Sequence, residues 1–150
     1  LTHQYLTFLA ELLLHPVVRG FFSRIIDSRN ILALYKALRA GTKETGELID
    51  GGTVPVQRLA DLAEKEDIFE VAGLIRQAAG VVIASPDPTQ VEVALYRGIT
   101  KFLKAEGRDP LDAALILDYL WRCQLEGMNL NMLLVGKDLE REEVAAELVR

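Results

Sequence analysis

The sequence predicts an all-α protein, and three features carry that prediction. Apolar residues recur three and four apart through nearly every segment between turn signals, which is helical spacing. No segment alternates polar and apolar with the period of two of a half-buried strand. Glycine, proline and capping residues divide the chain at intervals that suit helices. Half of the 150 residues are hydrophobic, enough for one core or for two small helical lobes that share one.

Residues 2–14 place Tyr5, Leu6, Phe8, Leu9, Leu12 and Leu13 on the spacing of a first helix. Pro16 suits the first turn of the next, where a missing N–H costs nothing. That second helix covers 17–40, with Phe21, Phe22, Ile25, Ile31 and Leu34 in its apolar set, and Gly41 stops it. A short acidic helix is expected over 43–49. Asp50 to Pro55 is a turn, punctuated by two glycines and a proline, and Thr53 is placed to cap the helix over 56–64. Asp67 starts a further helix that runs to about Ala79. Residues 80–88 form the clearest loop; a short strand at 81–83 is the one alternative, and nothing else in the chain could pair with it.

A helix over 89–106 follows, and Gly107-Arg108-Asp109 links it to the longest one. Asp109 caps that helix and Pro110 lies in its first turn. It runs to a break at Gly136-Lys137, and a last acidic helix ends the chain, giving eight helices and no sheet. The long helix is apolar nearly all round, which predicts burial on more than one side. Cys123, beside Trp121, reads as a core residue. As the single cysteine it allows no internal disulfide and fits a reducing compartment.

One polar stripe breaks the greasy surface of the long helix. Asp118, Arg122, Glu126 and Asn129 follow one another at four, four and three, so they share a face. The second helix repeats the pattern at an offset of 99, with Arg19, Ser23, Asp27 and Asn30. In each copy an acid precedes an asparagine by three, an apolar run follows, then a break and a short acidic segment. The repeat divides the chain into a first helical lobe over 1–86 and a second over 87–150, and repeats of this kind build stacked bodies. Asparagine disfavours a helix interior, and persists there where its amide bonds across to another segment. Asp27, Asn30, Glu126 and Asn129 are therefore expected to be structural pins between elements.

Composition excludes several functions. A net charge of −5 and a pI near 5.1 do not fit a nucleic-acid binder, and no basic cluster interleaves with aromatics. A membrane span needs about 20 apolar residues, and Asp112, Asp118, Arg122 and Glu126 interrupt the best candidate. No glycine pattern ends in Gly-Lys-Ser/Thr, so Gly51-Gly52 is a turn and not a phosphate loop. His3 and His15 are far apart, no serine sits on a nucleophile elbow, and no Cys/His/Asp set has metal spacing. No enzyme activity, cofactor or metal is expected.

These residues resemble the C subunit of V-type and archaeal-type rotary ATPases, called subunit d in eukaryotes. The resemblance rests on the acid-x-x-Asn helices at Asp27–Asn30 and Glu126–Asn129 and on the Gly51-Gly52-Thr53 turn. It extends through Leu95-Tyr96-Arg97 to Asp109-Pro110-Leu111, and to a final helix over 140–149. It covers nearly the whole chain and corresponds to roughly the latter half of such a subunit. The chain is accordingly expected to be a fragment lacking an N-terminal lobe, in keeping with its start at Leu1 inside a helical pattern. Leu130 departs from the family, where many relatives carry a basic residue.

The resemblance implies an all-α subunit of similar lobes arranged as a funnel on the cytoplasmic face of the membrane. Such a subunit is peripheral and not inserted, and it joins the central-stalk shaft to the membrane proteolipid ring. It carries torque for proton or sodium transport coupled to ATP and has no active site. The alternative is a free-standing all-α interaction module that shares only helix-packing patterns.

Overall fold

Pro16 opens the first helix of the computed structural model, which describes residues 15–81, 87–107 and 113–135. Five helices follow in order: α1 (Pro16–Arg39), α2 (Val56–Lys65), α3 (Ile68–Ala79), α4 (Pro88–Glu106) and α5 (Ala113–Val135). They take 79% of the described residues, with no strand among them, so the protein is all-α. The expected helices over 2–14 and after Gly136, most of the alternative strand at 81–83 and the Asp109-Pro110 start lie outside the described residues.

Local chemistry accounts for the boundaries. Asp67 caps α3 by accepting the Glu70 N–H at 3.0 Å, and Asp87 caps α4 by accepting that of Thr89 at 3.3 Å. Pro16 and Pro88 each occupy a first turn. Gly80 ends α3 in the left-handed conformation, φ 67°, which a glycine adopts without strain.

The acidic helix expected over 43–49 does not form. Gly46 has φ +70°, and the N–H and C=O of Ile49 are both held by the side chain of Asn30. Those groups are then withdrawn from any helical ladder, and the segment runs irregularly beside α1. Thr53 does not cap α2 either. The residue before that helix is Pro55, with no side-chain cap, while Thr53 turns back to Asp27.

Two apolar clusters hold the helices together. One joins Ile31, Leu34 and Tyr35 of α1 to α2, to α3 and to Val91 and Leu95 of α4. The other joins Phe21 of α1 and Val93, Ile99 and Leu103 of α4 to Trp121 and Leu125 of α5. Both draw on residues from either side of position 87. Each fully buried Leu or Ile contributes about 1.5–3 kcal/mol. Helices α3 and α4 pack closely at Gly98, where an added Cβ would lie 3.1 Å from the Ala79 Cα and closer still to the Ala78 carbonyl oxygen.

Helix α5 corrects two expectations. It is buried on one side only, through Ala114, Trp121 and Leu125, while Ile116, Leu120, Leu130 and Leu134 are exposed. Cys123 is exposed rather than in the core. An apolar sequence permits burial, but no described element lies against the second side.

Candidate functional site

The pin at Asp27 and Asn30 is built from α1 and the turn before α2. Both side chains are buried although they project from a helix interior. The Asn30 amide donates from Nδ2 to the Ile49 carbonyl at 2.8 Å and accepts the Ile49 N–H on Oδ1 at 2.9 Å. This pairing imitates one rung of a backbone ladder. One turn earlier, Asp27 accepts the Thr53 N–H at 3.1 Å, the Val54 N–H at 3.0 Å and the Thr53 hydroxyl. Carboxylate bonds to backbone donors are among the stronger ones a protein makes. Ser23, a further turn back, donates to the Gly51 carbonyl at 3.0 Å. A Cβ at position 52 would run into the Asp27 carboxylate, so only glycine lets the turn approach this closely.

The second stripe lies on α5. Arg122 pairs with Asp118 at 2.6 Å, one turn away on the same helix. The other Asp118 oxygen, Oδ1, is buried without a hydrogen-bond partner among the described residues. Glu126 is exposed and Asn129 half-buried. The counterpart of Ile49 at the offset of 99 is position 148, outside the described residues. Leu125 and Ile26, equivalent positions in the two copies, are both buried. The Tyr119 phenol donates to the Cys123 sulfur, and that bond pushes the phenol's pKa up.

Between α1, α4 and α5 lies an aromatic-walled groove of about 420 Å³, lined by Phe21, Phe22, Tyr96, Leu117, Trp121 and Met128 among others. Trp121 meets Phe21 and Tyr96 edge-on, with ring centroids 5.9 and 5.5 Å apart. Its Nε1–H donates to the Thr100 hydroxyl at 3.0 Å, which donates in turn to the Tyr96 carbonyl at 3.1 Å. Sequence reasoning missed Thr53, Gly52 and Thr100 as partners. The signal available for the first two was a mid-helix acid in want of donors and a glycine turn with donors to spare.

Tyr96 donates from its hydroxyl to the Glu92 carboxylate at 2.9 Å. Burial, the negative charge of Glu92 and this bond together push its pKa up to about 12 from 10.0, with Arg29 opposing. The neutral phenol therefore contributes its full stability below the unfolded value of 10.0 and loses it as pH rises through the folded value. The melting temperature of the wild type should fall faster across pH 10 to 12 than that of Tyr96→Phe, whose ring cannot ionise. Parallel curves would refute this.

Among the described residues no cluster of His, Cys, Asp or Glu could hold a metal. No described helix is long and apolar enough to cross a membrane. No curated protein and no solved structure matches the chain. A family model does match: that of the ATP synthase (C/AC39) subunit, over residues 4–147. That span omits only three residues at each end of the sequence, and the chain therefore belongs to the C/AC39 subunit family of V-type ATP synthases.

Proposed function

We propose that the chain is a non-catalytic adaptor that links the central shaft of a V/A-type rotary ATPase to its membrane proteolipid ring. The observation that carries this reading is the family match over 4–147. The adaptor sits peripherally on the cytoplasmic face of the membrane and supports proton or sodium transport coupled to ATP. Its two repeat units are 1–86 and 87–150; Asp27 and Asn30 stiffen the first, and Glu126 and Asn129 hold the corresponding positions of the second.

The packing of the described residues supports the reading in physical terms. An element that transmits torque must resist shear, and the carboxylate and amide bonds of Asp27 and Asn30 tie a turn to a helix at two successive levels. Contacts with shaft and ring are mostly apolar with a charged rim, so salt weakens them modestly. Purified shaft subunit and ring should each bind the protein at micromolar concentration or tighter in calorimetry, with less than a tenfold loss in moderate salt. Failure of both to bind, or nucleotide turnover by the purified chain alone, would overturn the adaptor reading in favour of another role.

A further inference from the structure

Residues that act together on and after α1 recur on and after α5. Phe22, Ile26 and Asn30, spaced four and four, have Trp121, Leu125 and Asn129 as counterparts at the offset of 99. The acid three before each asparagine is Asp27 in one copy and Glu126 in the other. The triplet Glu47-Leu48-Ile49 then returns as Glu147-Leu148-Val149, one position later, at an offset of 100. Ile49 follows Asn30 by nineteen residues, and Val149 follows Asn129 by twenty.

In the first copy these residues form a clip. Asn30 gives its amide to both backbone groups of Ile49, at 2.8 and 2.9 Å. The Ile49 side chain is buried with Ile26, and Phe22 packs against the two. The amide satisfies a backbone that would otherwise be buried unpaired, and the apolar pair takes up the side chain. The second copy offers the same parts. Asn129 stands one turn after Leu125 and two after Trp121 on α5. Trp121 is bulkier than Phe22 and Val149 is smaller than Ile49, so the two exchanges offset each other in volume. The local sequence signal is also alike. Residues 43–49 and 140–149 are both acidic stretches that read as helix, and the first forms none because Asn30 withdraws both backbone groups of Ile49.

We propose that Asn129 holds the backbone N–H and C=O of Val149 as Asn30 holds those of Ile49, which lays 147–149 across α5 with Val149 against Trp121 and Leu125. The last helix of the chain then stops short of Glu147, and the second lobe is closed by a clip like that of the first. This clip is independent of any contact with shaft or ring.

Hydrogen exchange of the full chain reads the clip residue by residue. The Val149 amide should exchange at least tenfold more slowly than in a free peptide. Asn129→Ala should restore the free rate at Val149 and leave the Ile49 amide protected. A terminal helix would protect Val149 through its own ladder to Ala145, so protection that survives Asn129→Ala overturns the clip. A Val149 amide already at the free rate in the wild type overturns it too. Protection that Asn129 confers on Leu148 instead, the position at the offset of 99, overturns the assignment to Val149.

Trp121, the single tryptophan, gives a second readout that does not depend on the asparagine variant folding. Val149→Glu should raise acrylamide quenching of its emission at least twofold, and Glu147→Ala should leave quenching unchanged. Equal quenching in the wild type and Val149→Glu puts Val149 away from Trp121 and overturns the proposal.

Discussion

Asp27→Ala lowers the unfolding free energy by about 2–3 kcal/mol, since three part-buried donors lose a charged acceptor that is itself buried. The Thr53 and Val54 N–H groups and the Thr53 hydroxyl have no other acceptor within their turn. Urea denaturation should show the loss as a shifted midpoint at unchanged slope. Asp27→Asn keeps one acceptor but aims an NH₂ group at a donor, so it should retain only part of the stability. Asn30→Ala should cost about 1–3 kcal/mol, because both polar groups of Ile49 are then stranded. An Asp27→Ala chain within 0.5 kcal/mol of wild type, the range of ordinary surface changes, would show that water serves the turn as well as the carboxylate does.

The same substitution at two glycines should have opposite signs. Gly98→Ala drives a methyl group into the backbone of Ala78 and Ala79 on the neighbouring helix, where no flexible side chain can move aside. Helices α3 and α4 must part, at a cost of about 2–3 kcal/mol. Gly73→Ala, in the interior of α3, meets nothing within 4 Å. It should raise stability by about 0.5–1 kcal/mol through helix propensity alone. With roughly 2–4 °C per kcal/mol for a chain of this size, thermal melts of the two variants should separate clearly. Equal shifts would mean that helix propensity governs both positions and close packing neither.

The helices were legible because their signals are local. Apolar spacing marks α1, α3, α4 and α5, and Asp67 announces a start within a few residues of itself, whereas Asp87, which caps α4, falls in the stretch expected as loop. The segment at 43–49 was illegible for the opposite reason. Its own residues favour a helix, but Asn30 takes both backbone groups of Ile49 from nineteen positions away. Thr53 failed as a cap because a carboxylate on another element outcompeted its own helix. Gly98 gave no sign at all, since a glycine inside a helix announces only a loss of propensity and not what stands opposite. For Cys123 and the outer face of α5, sequence recorded how apolar the side chains are; which angle of the helix met the core decided the rest. The stripe residues Asp27 and Asn30 drew notice by being polar in a helix interior, though not the turn they hold.

Helices α1 and α4 are each unbroken and each enters both apolar clusters. At 1.5 Å per residue they form beams about 36 and 28 Å long. A push on Trp121 reaches Phe21 and Ile99, then travels inside rigid rods to Tyr35 on α1 and Val91 on α4. No linker intervenes between the two ends that could absorb the displacement as a local bend. Strain delivered to α5 thus arrives at α2 and α3 as movement of the whole frame, in the manner of a crank web rather than a hinge.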